Sequence, residues 1–187
     1  MHRQRGLSLI ELMVALTVGL VVVFGAMMMI LPVTQTTSST TRASKMNTDA
    51  RAVLDLMANE LRRAGYQAPS ASGPYVQVRN GNACIVYGYA ENPGAAVRWN
   101  AFRYDAVQQR IQAVYDRDTA ITDCFAASLP WMPLTDPHTL SVTGFTAQCQ
   151  NAGATIQVAL TLADKDQHRL PVAPLLIQPR NTTCGTP

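Results

Sequence analysis

Three periodicities follow one another along this chain. From Leu12 to Leu31 twenty residues pass without a charge, and Pro32 closes the run. At about 1.5 Å rise per residue, that length of helix matches the roughly 30 Å hydrocarbon core of a bilayer. From Ala43 the apolar positions recur at steps of three and four: Ala43, Met46, Ala50, Val53, Met57, Leu61 and Ala64. Arg42, Lys45, Asp49, Arg51, Asp55, Glu60 and Arg62 occupy the other faces, so the stretch predicts an amphipathic helix. Gly65 is a helix stop, with Arg62 and Arg63 placed where cations suit the helix dipole. Between these two helical patterns, Thr34 to Thr41 contains only Thr, Ser and Gln. Read by propensity it is a linker, a place for the helix to bend or melt.

From Tyr66 the period becomes two. Val76–Arg79 and Cys84–Tyr89 read as short strands around the turn Asn80-Gly81-Asn82. Arg98–Tyr104 and Arg110–Tyr115 form a second hairpin, and Asp116–Pro137 is irregular, broken by Pro130, Pro133 and Pro137. Leu140–Gln148 and Ala154–Ala163 make the strongest hairpin, with Ile156, Val158, Leu160 and Leu162 on one face. Val172–Gln178 is a last strand, at an edge because Pro174 lies within it, and a short tail follows. The fold class is α+β. The divisions are a leader at 1–6, a membrane helix at 7–31, an amphipathic helix at 32–65 and a β-rich head at 66–187.

Composition narrows the function. Charged residues are 14 % and aromatic residues 6 %, a mix that suits an exported β-rich domain better than a cytosolic enzyme. The net charge is +3, but Arg3 and Arg5 precede the apolar run; without them thirteen basic side chains face twelve acidic ones. No electrostatic case for nucleic-acid contact remains. Those two arginines, with nothing basic again before Arg42, orient the N-terminus to the cytoplasm and the remainder to the far side. There, four widely spaced cysteines favour two disulfides over free thiols. Four cysteines allow three pairings. If the last three strands form an antiparallel meander, Cys149 and the tail near Cys184 reach the same end of the sheet, which predicts Cys149–Cys184 and, by elimination, Cys84–Cys124.

One charge interrupts the apolar N-terminus. Glu11 lies in Gly6-Leu7-Ser8-Leu9-Ile10-Glu11-Leu12, behind Met1-His-Arg-Gln-Arg. A carboxylate in a span costs up to about 3 kcal/mol by insertion scales, so such a residue is usually kept for a partner. A secretory signal peptide fits poorly, because its apolar core is about 7–15 residues and is followed by a small-x-small cleavage site. The order of leader, glycine, glutamate and long apolar run resembles the class III leader of type IV pilins and type II secretion pseudopilins. That resemblance implies cleavage by a prepilin peptidase between Gly6 and Leu7, N-methylation of Leu7, and a role for Glu11 in assembly. Leu7 stands where Phe or Met is commoner.

Ala83-Cys-Ile-Val-Tyr-Gly-Tyr, Trp131-Met-Pro-Leu-Thr-Asp-Pro and Leu176-Ile-Gln-Pro-Arg-Asn resemble minor pilins of the PilW type, and less closely J-type minor pseudopilins. The resemblance implies the type IV pilin fold, with one long N-terminal helix laid on an antiparallel sheet. It also implies a subunit of the inner membrane, with a periplasmic head, that passes into a pilus. The implied partners are the prepilin peptidase, other minor and major pilins, the pilus assembly platform and a tip adhesin. The implied task is initiation or tip assembly of a type IV pilus serving twitching and adhesion. A type II secretion pseudopilin is the nearest alternative, and a signal-anchored periplasmic binding domain or enzyme is the alternative of another class.

Candidate chemistry elsewhere is sparse. Beyond the leader, His138 lies in a Pro-rich loop and His168 in a polar turn, with no nucleophile elbow, H-E-x-x-H, P-loop or dinucleotide turn. No catalytic, cofactor or metal residue is assigned. Asp116/Asp118 and Asp164/Asp166 alternate as calcium ligands do, but each pair lacks further oxygens nearby, which favours turn chemistry. Trp131 and Met132 read as a core anchor before an exposed patch, and Met27–Met29 as adaptable packing in a helix bundle.

Overall fold

The computed structural model describes residues 8–69, 73–163 and 169–185, with the backbone alone described at 30–39, 42 and 171. Two compact units divide the chain, Met1–Ser44 and Lys45–Pro187. A single helix, α1, runs Leu9–Arg63. It continues through the Thr/Ser stretch that propensity alone reads as a linker. Each Thr, Ser or Gln costs at most about 0.7 kcal/mol against alanine. Extending a helix already formed on one side is far easier than nucleating a new one, and here the cooperative term wins. Pro32 lies within the helix and gives no N–H to the carbonyl one turn earlier.

Among the described residues of Lys45–Pro187, ten strands form two sheets: β1 Val76–Arg79, β2 Cys84–Tyr89, β3 Arg98–Asp105, β4 Arg110–Arg117, β5 Met132–Pro133, β6 Ser141–Gln150, β7 Thr155–Ala163, β8 Arg169–Pro171, β9 Leu175–Ile177 and β10 Cys184–Gly185. The first sheet has the order β10-β1-β2-β3-β4-β5; in the second, β6 pairs β7, which pairs both β8 and β9. All pairings are antiparallel except β1 with β10. The chain thus has an α+β, pilin-like fold.

The buried face of α1 carries Met46, Ala50, Leu54, Met57, Ala58, Leu61 and Ala64, which share one core with Val76, Ile85, Tyr87 and Phe102 of the first sheet and Val142, Ile156 and Leu160 of the second. Ala43, counted in the stripe by spacing, is exposed; Leu54 and Ala58 complete the buried face instead. The helix end is built by tertiary contact. Gly65 takes φ +74°, and its N–H donates to the carbonyl of Gly88 at 2.8 Å. A β-carbon there would lie 2.8 Å from the Asn181 carbonyl oxygen, so the tail seats against the glycine.

Three expectations for the head change. Asp116–Pro137 is not wholly irregular: β4 runs on to Arg117, and β5 adds an edge strand opposite Gln112 and Ala113. Of the stretch predicted as one strand, Val172–Gln178, only Leu175–Ile177 (β9) is strand, and the unpredicted β8, Arg169–Pro171, precedes it on β7; Pro171 and Pro174 have no N–H to give the ladder, which keeps the two apart. Val172 N–H still donates to the Leu160 carbonyl at 3.0 Å, which keeps the path along β7. The tail is also more than a tail, since β10 crosses to the first sheet and pairs in parallel with β1, Val76 opposite Cys184.

Disulfides Cys84–Cys124 and Cys149–Cys184 are formed, with Cα atoms 6.4 and 5.6 Å apart. The second ties β6 of one sheet to β10 of the other. The first holds the loop after β4 over the outer face of the first sheet, where Val86, Ala101, Val114, Ile121 and both sulfurs make a second small core.

Candidate functional site

Among the described residues of the N-terminal part of α1, Leu9–Met29, none is buried. Glu11 and Leu12 close the first turn by donating their N–H groups to the Ser8 carbonyl at 3.0 and 3.2 Å. A carboxylate in the first turn of a helix faces the positive end of the dipole, which favours Glu11 locally. Leu9–Met29 is a helix of 21 residues, long and apolar enough to cross a membrane, and none of it is buried. Val21 is 72 % exposed and Met29 77 %. These are large side chains on every face, which water does not favour; a helix apolar all round belongs in a membrane or in a core made by other chains. Glu11 is the only charge on it. Gly6 and Leu7 lie outside the described residues, as do Asp164, Asp166 and His168.

The head brings together few of the side chains singled out by sequence. The Arg98 guanidinium pairs with Asp116, at 3.2 Å, and with Asp118. A cation between the two carboxylates fills the place a calcium ion would need, and both are exposed, so the pairs add little to stability. Among the described residues no cluster of three or more His, Cys, Asp or Glu is placed to hold a metal. His138 is exposed, its N–H held by the Asp136 carboxylate at 2.9 Å in a local turn. Trp131 and Met132 separate: the indole is half-buried against the second core, and Met132 is exposed.

Sequence reading missed a polar contact between helix and sheet. The Tyr87 hydroxyl, on a side chain with no exposed surface, donates to Glu60 Oε2 at 3.3 Å, and Glu60 Oε1 accepts from Arg63 at 3.4 Å. The Arg63 guanidinium lies 4.4 Å above the Tyr89 ring. Burial, then the Glu60 charge, pushes the Tyr87 phenol well above its ordinary range, and burial raises Tyr89 and Tyr115 as well. Helical spacing places Glu60 on a polar flank of the stripe, and only the register of β2 reveals its partner.

An exposed apolar helix at the N-terminus, followed by an α+β head, defines a prepilin-like protein, and residues 1–27 match the prokaryotic N-terminal methylation motif. The chain belongs to the family of prepilin peptidase-dependent protein B, whose sequence model matches residues 39–173. Membership makes it a prepilin peptidase-dependent, N-methylated, minor pilin-like protein. Proteins of this pilin-like kind are typically not enzymes. No curated protein and no solved structure matches the chain.

Proposed function

We propose that the protein is a minor pilin of the type IV pilus, resembling the PilW type, that takes part in initiation or tip assembly. The observation that carries this reading is the 21-residue apolar helix Leu9–Met29, wholly exposed and bearing the single charge Glu11, directly behind the leader Met1–Gly6. Cleavage after Gly6 makes Leu7 the first residue, which is N-methylated, and Glu11 the fifth. The segment waits in the inner membrane with the disulfide-bonded head in the periplasm. It leaves lipid by packing against equivalent helices of other pilins. There Glu11 meets the positive N-terminus of a neighbour, so that a lone carboxylate becomes half of a pair in a low-dielectric setting.

N-terminal sequencing and mass spectrometry of membrane-extracted protein test the reading. The expected mature chain begins with N-methylated Leu7; an intact Met1 would remove the cleavage assignment. Glu11→Gln should insert in the membrane as well as the wild type and be depleted from sheared pili. Equal recovery of both forms in pili would leave Glu11 without an assembly role.

A further inference from the structure

The outer face of the first sheet holds a groove that nothing above uses. Between β3, β4 and the loop after Cys124 lies an open depression of about 510 Å³, lined by Arg103, Arg110, Gln112, Phe125 and Trp131. The Arg103 guanidinium sits 4.3 Å above the Trp131 ring, while Nε donates to Gln112 Oε1 at 2.8 Å and Nη1 to the Cys124 carbonyl at 3.0 Å. Arg103 is therefore fixed, and the sheet and disulfide loop hold it. Arg110 is placed differently. No hydrogen bond or ion pair of its side chain is formed among the described residues, and its Nε is buried without an acceptor. The carboxylate opposite it in register, Asp105, is engaged elsewhere: Oδ1 accepts the N–H groups of Val107 and Gln108 at 3.1 and 3.0 Å, closing the β3–β4 turn. The Trp131 indole N–H is a second buried donor with no acceptor.

Two cations, Arg103 and Arg110, against one carboxylate leave the groove one positive charge in excess, which a single carboxylate would neutralise. A planar guanidinium with free nitrogens binds such a group through paired hydrogen bonds. Beside the charge, Phe125 is 52 % and Val107 93 % exposed, an apolar rim on an otherwise polar depression. An open groove with one charge in excess and flanking apolar side chains suits an extended chain rather than an enclosed small molecule. We propose that this groove docks an acidic side chain of a partner polypeptide, with Arg110 as the charge that receives it and Phe125 and Trp131 flanking its stem. The inference is independent of the N-terminal helix and of which assembly the protein joins.

The full chain in detergent micelles provides the test. Of the two tryptophans, Trp99 is replaced (Trp99→Phe) so that Trp131 alone reports. The probes are the blocked pentapeptide Ala-Leu-Glu-Leu-Ala, its Gln counterpart, and inorganic phosphate. The Glu peptide should shift Trp131 emission saturably and more weakly as salt rises. The Gln peptide, or the Glu peptide against Arg110→Gln, should bind about tenfold or more weakly, as loss of a charged hydrogen-bond pair predicts. Arg110→Glu should invert the preference toward a Lys peptide, a gain that misfolding cannot produce; thermal unfolding of each variant checks the fold. Equal affinity for Glu and Gln peptides, an unaffected Arg110→Gln, or no saturable shift overturns the proposal. Phosphate binding as tightly as the Glu peptide would also overturn it, because the groove would then be an anion site and not a docking site.

Discussion

Two stretches of α1 are rich in apolar side chains, and their surroundings differ. Leu9–Met29 is apolar on all sides and none of its residues is buried. Met46–Ala64 is apolar on one stripe, and Met57 and Leu61 on that stripe have no exposed surface. The same helical backbone thus serves two solvents. A one-sided stripe is satisfied by the chain's own sheets; an all-round apolar surface is satisfied only by lipid or by other chains. Stability of the head and function of the N-terminus are therefore written in separate residues, and substitutions should separate them.

The largest expected effect is in the buried stripe. Leu61→Ala should lower the stability of the head by about 2–5 kcal/mol in denaturant unfolding of the full chain in detergent, because it removes contacts on a fully buried side chain. Val21→Ala, at a 72 % exposed position of the other half, should leave that unfolding unchanged. A comparable loss from Val21→Ala would show that the N-terminal half is held by the head, and the division between the two would fail.

How far the head depends on its own staples is the next question. Cys149 and Cys184 enclose a separation of 35 residues and anchor β10 to β6. Cys149→Ser with Cys184→Ser should cost about 2–4 kcal/mol. Hydrogen exchange should localise the opening to β10 and its partner β1. Uniform exchange across both sheets would mean that the bridge does not act through the tail.

Gly65→Ala comes third. A side chain at φ +74° and 2.8 Å from the Asn181 carbonyl oxygen is opposed by backbone strain and by contact, so a loss of about 1–3 kcal/mol is expected. An unchanged melting temperature would show that the tail moves aside freely.

What was legible in the sequence follows the range of the interactions. Local periodicity located β1 and β2 to the residue, and the leader with Glu11 announced the N-terminal half. Spacing along one helix correctly placed Met46, Ala50, Met57, Leu61 and Ala64 but could not choose between Ala43 and Leu54, because the choice depends on where the sheet ends. Long-range pairing was less visible. The parallel contact of β10 with β1 joins residues 76 and 184, and no local pattern in Cys184-Gly185 signals a strand. Continuity of the helix through the Thr/Ser stretch agrees with the one long helix that the family resemblance implies, but propensity alone does not show it, because propensity describes residues singly and helix growth is cooperative. The Arg103 groove was hidden for the same reason: Arg103, Arg110 and Trp131 are unremarkable apart and acquire meaning only when β3, β4 and the disulfide loop meet.

The smallest effect probes a polar contact between the head half of α1 and the first sheet. Tyr87 donates to Glu60 across the helix–sheet boundary, and Tyr87→Phe should cost about 0.5–1.5 kcal/mol at neutral pH. Its pH dependence has a definite sign. The ordinary phenol titrates near 10.0, and burial raises Tyr87 above that value in the folded chain. The folded state therefore keeps a proton that the unfolded state releases, so this contribution is complete below about pH 10 and declines as pH rises beyond it. Stability of the wild type should fall steeply on the alkaline side, and Tyr87→Phe should flatten that fall while leaving the contributions of Tyr89 and Tyr115. Tyrosinate absorbance and unfolding followed together across the alkaline range give the comparison. An alkaline limb of the same steepness in Tyr87→Phe would show that the other phenols, or the arginines, govern it and that the Tyr87–Glu60 contact is energetically silent.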